Sequence, residues 1–250
     1  MGERWRLIRT GFNDASTNMA IDEAILNSVA ERSALNTVRL YRWKPPAVSI
    51  GFSQQVEKEV EVEACKTLGV DVVRRPTGGG TVYHDSNGEL TYSIIARSDI
   101  VPSDVISSHR YICQGIVLAC RHLGLNAEMS FDNKGQQCPN VTVNGKKISG
   151  GAQTRRKNAF LQHGTLLLDP DLEKMTKTLK MGLPTACMPV EKLALKVTTI
   201  RHLLGKPVLF KELENSLRLG FEKAFNTKLS EQILSPYELE QASELRLRKY

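Results

Sequence analysis

The chain predicts an α/β or α+β fold built around a mixed β-sheet. Three observations carry that prediction. Alternating, strand-like segments are interleaved with helical ones as far as Asp169. An Asn144-Gly145 pair sits between two short alternating segments, which is the signal of a hairpin with a type I′ turn. Beyond Asp169 the apolar spacing turns helical over about 171–181, 189–204, 210–225 and 236–249.

The elements follow in order. Thr17 to Ala34 carries apolar residues at 21, 24, 25 and 29, one stripe of a helix. Val38–Trp43 and Ala47–Phe52 alternate as strands around a Lys44-Pro45-Pro46 turn. Glu57 to Leu68 reads as a helix stopped by Gly69, and Asp71–Arg74 as a short strand. Glu89–Ile95 is a further strand, and Ser103 to Leu123 is the longest helix, ended by Gly124. Asn126 to Pro139 is polar and reads as a loop. Val141–Val143 and Lys146–Ile148 form the hairpin, and Asn158–Leu168 a strand after it.

The 250 residues, 41% hydrophobic and 24% charged, have the composition and size of a single globular domain spanning 1–250. No apolar run approaches the ~20 residues of a membrane span. The N-terminus lacks the apolar core of a signal peptide, so a cytoplasmic location and no membrane partner are expected. Five cysteines, at 65, 113, 120, 138 and 187, are odd in number and not spaced as a zinc site, which suggests reduced thiols. The net charge of +7 is dispersed, without a basic stripe or interleaved aromatics. This argues against a nucleic-acid binder and fits an acidic protein partner or an anionic substrate.

The most informative motif is Arg74-Arg75-Pro76-Thr77-Gly78-Gly79-Gly80-Thr81-Val82-Tyr83-His84-Asp85. Three glycines let the backbone approach a ligand and form an anion-binding concavity. Two guanidiniums beside them offer forks for a carboxylate or phosphate. It is neither a phosphate-binding P-loop nor a dinucleotide fingerprint. After the hairpin comes Lys146-Lys147-Ile148-Ser149-Gly150-Gly151-Ala152-Gln153, where alternation sends one lysine inward and the other to water. Gln162-His163-Gly164 follows in a strand. His84 and Asp85, as strand neighbours, point to opposite faces. No hydrolase elbow or zinc-protease motif is present.

Together, in this order, these motifs resemble the lipoate–protein ligase A and octanoyltransferase family of the biotin/lipoate ligase superfamily. The resemblance starts at Asn18-Met19-Ala20-Ile21-Asp22-Glu23-Ala24 and runs through Arg39-Leu40-Tyr41, Ser49-Ile50-Gly51-Phe52, the glycine motif, Gly145 to Gly150 and Gln162-His163-Gly164. It implies a mixed, largely antiparallel sheet flanked by helices, with a ligand tunnel beside the sheet. The biotin-ligase branch is set aside because its Gly-Arg-Gly-Arg loop is absent.

For the ligase branch, the resemblance implies activation of lipoate by ATP with Mg²⁺ to lipoyl-AMP, then transfer to a lysine of an acceptor. Lys147 matches the lysine that binds the acyl carbonyl and phosphate. Arg75 matches the nucleotide arginine, and Gly80, Thr81, Val82 and Tyr83 the segment holding the adenylate. Arg74, Thr77, Gly79, His84, Gly150, Ala152 and His163 are carried over as substrate-binding residues. The implied acceptor is a lipoyl domain of a 2-oxoacid dehydrogenase or a glycine-cleavage H protein. The motifs and the helices after them use up this chain, so the accessory domain of many ligases is expected either as a separate partner chain or not to be needed.

For the octanoyltransferase branch, the resemblance implies transfer of octanoate from acyl carrier protein through a cysteine thioester, without ATP. That branch carries Cys-Phe-Asp before the lysine hairpin. Here Ser130-Phe131-Asp132 stands in its place, which favours the ligase reading. Cys138 lies in the same loop and is the alternative nucleophile, a thiol that the charge of Lys147 would activate. Pro139-Asn140-Val141 matches the ligase pattern Asn-Asp-Ile only loosely.

Overall fold

The computed structural model describes residues 3–131, 138–180 and 189–250. Its strands are β1 (Trp5–Asn13), β2 (Asn36–Trp43), β3 (Ala47–Ile50), β4 (Asp71–Arg74), β5 (Val82–His84), β6 (Glu89–Arg97), β7 (Ala127–Ser130), β8 (Asn140–Val143), β9 (Lys146–Arg156), β10 (Ala159–Leu167) and β11 (Leu229–Glu231). The helices are α1 (Ala15–Ala30), α2 (Val56–Glu59), α3 (Val62–Leu68), α4 (Val105–His122), α5 (Leu172–Thr178), α6 (Val190–Ala194), α7 (Ile200–Leu204), α8 (Phe210–Phe225) and α9 (Pro236–Lys249).

Among the described residues, eight strands form one sheet in the order β11-β1-β2-β6-β10-β9-β8-β7. β1 runs parallel to β11 and β2, and every other pairing in this sheet is antiparallel. A smaller sheet, β4-β3-β5, packs beside it. The fold is thus mixed and largely antiparallel, flanked by helices on both faces, as the sequence predicts.

α4 and α8 cover one face, burying Ile112, Ile116, Leu213, Leu217 and Phe221 against Leu90, Tyr92 and Ile94 of β6. α1 and α9 cover the other, where Ile21, Ala24, Ile25 and Ala242 meet Ile95 and Leu161. The two layers close tightly at glycines. A Cβ on Gly220 would lie 2.3 Å from the Gly115 carbonyl oxygen, and one on Gly115 would lie 2.4 Å from the Phe221 ring. Caps set the helix ends. Asp14 accepts from the Thr17 amide at 2.7 Å, which starts α1 at Ala15 rather than Thr17. Ser235 and Glu238 form a capping box at α9. At the hairpin turn, Asn144 and Gly145 both have positive φ, 52° and 73°, as a type I′ turn requires.

Several elements differ from the sequence prediction for tertiary reasons. The helix predicted over Glu57–Leu68 is broken at Val60, which takes an extended conformation and bridges Leu179. The helix predicted over 189–204 is likewise split, because the segment between α6 and α7 leaves the helix to pair with Lys147. The segment predicted as a loop from Asn126 begins with the edge strand β7. The parallel strands β1, nine residues long, and β11, three residues long, have no turn signal to announce them. Among the described residues no helix is long and apolar enough to cross a membrane.

Gly220→Ala is expected to destabilise the fold by about 1–3 kcal/mol, because the new methyl group meets backbone rather than a movable side chain. Urea unfolding measures this, and an unchanged midpoint would contradict the close contact.

Candidate functional site

A cavity of about 520 Å³ opens where β8 stops following β9. β8 pairs with β9 only as far as Ser149, so among the described residues the edge from Gly150 onward has no strand beside it. Lys147, Gly150, Gly151 and Ala152 line this edge, with His163 and Gly164 of β10 next to them. The opposite wall is the glycine loop from Gly78 to Thr81, continuing through Val82, Tyr83 and His84. A volume of this size suits a small ligand or an acyl chain.

The glycine loop is held from behind by Arg75, which is 4% exposed. Its Nε donates to Thr77 Oγ1 at 3.1 Å. One terminal nitrogen donates to the Ser49 carbonyl and hydroxyl at 3.0 and 3.2 Å, and the other to the carbonyls of Gly78 and Gly80 at 2.7 and 2.6 Å. All five donors of the guanidinium are therefore taken by protein acceptors. Arg74 likewise donates to the carbonyls of Gly51, Phe52 and Gln54. The pair predicted to fork an anion instead fastens the loop. Burial lowers the Arg75 guanidinium to about 10, which leaves it charged at neutral pH. Among the described residues the amides of Gly78, Gly79 and Gly80 donate to nothing, so they remain available for a ligand oxygen. Gly79 has φ +84°, and a Cβ on Gly51 would lie 2.1 Å from its carbonyl oxygen, so the loop packs directly on β3.

Two hydroxyl–imidazole–carboxylate chains meet at Arg75. In one, Ser49 Oγ lies 2.8 Å from His84 Nε2, and His84 Nδ1 lies 2.8 Å from Glu89. In the other, Thr77 Oγ1 lies 2.7 Å from His163 Nε2, and His163 Nδ1 lies 3.0 Å from Asp22. A guanidinium only donates, so each hydroxyl accepts from Arg75 and gives its own proton to the imidazole. Both histidines then carry their proton on Nδ1 and donate it to a carboxylate. Burial pulls His163 below its ordinary value against the pull of Asp22. Burial pushes Asp22 up, yet Arg39, His163 and Ser93 together hold it below the usual carboxylate range. The Trp43 ring stacks on His84 at 4.0 Å and closes that end of the cavity.

Lys146 and Lys147 point apart, as strand alternation predicts. Lys146 Nζ donates to the Ala194 carbonyl at 2.9 Å. Lys147 reaches the cavity rather than the core, and its side chain lies over Gly150, where a Cβ would meet Cε and Nζ at 2.5 Å. Its backbone is clamped by hydrogen bonds with Lys196 and Thr198, both at 2.9 Å. Gly164 is obligatory for the same close packing, since its Cβ would lie 2.3 Å from the Gly150 carbonyl oxygen.

Cys138 lines the cavity with Lys147. Cys65, Cys113 and Cys120 are buried, whereas Cys138 is half-buried. Burial pushes its thiol above the ordinary value, against the expectation that Lys147 would lower it. Cys187 and Asp132 lie outside the described residues. Ser130, the residue standing where the transferase pattern has cysteine, pairs with Asn140 across β7 and β8. Cys138 lies in the connection between these two strands, two residues before β8 begins.

Of the residues predicted for the site, Arg75, Gly79, Gly80, Thr81, Val82, Tyr83, His84, Cys138, Lys147, Gly150, Ala152 and His163 line the cavity. Arg74 and Thr77 stand behind the loop. Sequence reasoning missed Ser49, Glu89, His109 and Gln153, and gave no site role to Asp22. The available signal was a set of polar residues inside otherwise apolar strands and helices. Among the described residues no group of His, Cys, Asp and Glu side chains is arranged to hold a metal ion.

The model of the lipoyl protein ligase A/B catalytic domain matches residues 14–222. The chain is 34% identical to octanoyltransferase LipM of Symbiobacterium thermophilum, covering 100% of this chain and 97% of that protein. It is 36% identical to octanoyltransferase LipM of Geobacillus kaustophilus, covering 99% and 96%. Among solved structures it resembles lipoate-protein ligase A bound with ATP, with TM-score 0.85, 30% identity and coverage of 100% and 96%. It also resembles a bi-partite lipoate protein ligase from Thermoplasma acidophilum, with TM-score 0.81, 29% identity and coverage of 100% and 94%.

These relatives correct the ligase expectation. ATP-dependent lipoate–protein ligase activity, with ATP and Mg²⁺ and a lipoyl-adenylate, is overturned by whole-length relatives that are octanoyltransferases. The expectation rested on Ser130, which does not line the cavity, whereas Cys138 does. Matched over most of its length, the chain belongs to the lipoyl protein ligase A/B catalytic domain family.

Proposed function

We propose that the protein is an octanoyltransferase that carries the acyl group on Cys138. The observation that supports this reading is the pairing of a half-buried thiol with Lys147 in one cavity, while the other described cysteines are buried. In the first step the Cys138 sulfur adds to the thioester carbon of an octanoyl carrier protein. The thiol proton passes through Lys147 to the departing carrier sulfur. In the second step the lysine amine of an acceptor, a lipoyl domain or a glycine-cleavage H protein, attacks the acyl-cysteine and releases the thiol. Both steps exchange one acyl bond for another, so no nucleotide is consumed.

The remaining residues support this chemistry by shape. The apolar walls hold the chain, Trp43 and His84 close the far end, and the glycine loop lines the cavity with amides that have no acceptor among the described residues. Arg75 keeps that loop in place. The positive net charge favours encounter with an acidic carrier.

Incubation with octanoyl carrier protein, without ATP, is expected to add one octanoyl group to the enzyme, and Cys138→Ser should abolish the adduct. An adduct that survives this substitution would remove Cys138 from its role, and an absolute ATP requirement would sink the transferase reading. Because burial raises the resting thiol, alkylation of Cys138 should keep climbing as pH rises beyond ~8.5, the ordinary thiol value. A plateau already reached at neutral pH would indicate a preformed thiolate instead. Arg75→Lys keeps the charge but not the five-donor fork, and should slow acylation by on the order of 10²-fold through a displaced loop. Stopped-time mass spectrometry measures that rate, and wild-type acylation would remove Arg75 from its positioning role.

A further inference from the structure

The helix α4 turns one face toward the cavity, with Val105, His109 and Cys113 spaced at i, i+4 and i+8. Val105 and His109 line the cavity. Cys113 Sγ lies 3.7 Å from the carbonyl oxygen of Pro139, the residue after Cys138. His109 is therefore one helical turn from the point where α4 touches the Cys138 segment. It is 3% exposed, so it has been withdrawn from bulk water and yet borders the site.

The hydrogen bonds around His109 determine where its proton sits. Gln153 Nε2 donates to the Val105 carbonyl at 2.8 Å. A carbonyl can only accept, which identifies that end of the amide as nitrogen. The Ser108 hydroxyl is shared among the Asp104 and Val105 carbonyls and Gln153 Oε1, at 2.8, 3.1 and 3.0 Å. The same Gln153 nitrogen lies 3.4 Å from His109 Nδ1, so Nδ1 accepts and the ring proton is on Nε2. Among the described residues Nε2 has no partner. Burial, followed by the charge of Lys147, pulls His109 down to about 4, so the ring is neutral at physiological pH. The other titratable groups near this face are Cys138 and Cys113, both thiols pushed up by burial.

A cysteine beside a histidine invites the reading of a nucleophile and its base. Here the geometry points elsewhere. A base needs a bare nitrogen facing the thiol, whereas the nitrogen left to the cavity carries the proton. We propose that His109 is an oxyanion donor: its Nε2–H bonds the acyl oxygen while the acyl group moves onto and off Cys138. The assignment rests on the octanoyltransferase reading. As the Cys138 sulfur bonds the carbonyl carbon, the C=O π pair moves to oxygen, where it accepts a hydrogen bond from Nε2–H without taking the proton. When the C=O bond re-forms, the carrier sulfur leaves with the bond pair and takes up the proton carried by Lys147. A neutral donor suits this task because it stabilises the developing charge without itself losing a proton.

The test compares His109→Phe, which keeps the ring shape without a donor, with His109→Gln, which restores an N–H at a similar reach. In single-turnover acylation from octanoyl carrier protein, His109→Phe is expected to slow transfer on the order of 10²–10³-fold. The half-saturating carrier concentration should stay nearly unchanged, and His109→Gln should recover part of the rate. Wild-type acylation by His109→Phe would overturn the assignment, as would a loss confined to carrier binding. If His109→Phe fails to fold, Gln153→Leu releases the bond that holds the proton on Nε2 and should slow acylation while leaving carrier binding intact. Unchanged acylation in that variant would count against the proposal. Nitrogen NMR of the wild-type ring is a readout independent of transfer. An Nε2–H tautomer that stays neutral through pH 6 is expected, and an Nδ1–H tautomer would overturn the donor role. No octanoyl adduct on the wild-type enzyme would sink the transferase reading itself, a failure distinguishable from that of His109.

Discussion

The buried guanidinium of Arg75 is the constraint on which the site depends. It satisfies the carbonyls of Ser49, Gly78 and Gly80 and the hydroxyls of Ser49 and Thr77 at once. Removing it would leave several buried acceptors unpaired, each costing about 1–3 kcal/mol. Its one-way donation also orients the hydrogen bonds beyond it. Both hydroxyls must pass their protons outward, which sets both imidazole tautomers and keeps Glu89 and Asp22 as acceptors. The glycine loop, β3, β5 and β10 are thereby linked through one side chain. A lysine could not do this, having three donors on a single atom rather than a planar fork of five.

The cavity itself arises from incomplete strand pairing. β8 leaves β9 at Ser149, and the chain between α6 and α7 takes over the pairing at Lys147 from the other side. This clamps the lysine backbone and, among the described residues, leaves the edge from Gly150 open. Glycines at 150 and 164 allow the strands and the lysine stem to approach closely there. The half-buried thiol of Cys138 borders the same opening, at the end of the β7–β8 hairpin. One arrangement of lysine, glycine loop and apolar chamber can hold an acyl group whether it is activated by a nucleotide or by a thiol. Solved structures named as ligases share the fold, and curated relatives named as octanoyltransferases match the chain along its whole length.

Local chemistry was readable where a few neighbouring residues decide the outcome. Asn144-Gly145 announced the hairpin because only such a pair takes two positive φ angles cheaply. Phe210–Phe225 and Pro236–Lys249 followed their apolar spacing. Glu57–Leu68 did not, because Val60 gains a bridge with a residue over a hundred positions away. The cysteine question failed in a similar manner. Aligned by sequence, Ser130 argued against a thiol mechanism, but the residue of this segment whose side chain borders the cavity is Cys138.

By itself, the sequence determined the family, the mixed sheet, the glycine loop and the lysine hairpin, because these depend on backbone conformations that only certain residues adopt. Only the tertiary structure decided what the charged and polar groups do. Arg74 and Arg75 read as anion forks, yet they bind carbonyls of their own chain. His109 and Gln153 looked like ordinary residues of a helix and a strand, yet they meet at the cavity. The physical reason is that a hydrogen bond is set by the position of its partner. Ser49, Glu89 and Asp22 become partners of the site only when β3, β6 and α1 pack around the same guanidinium and imidazoles.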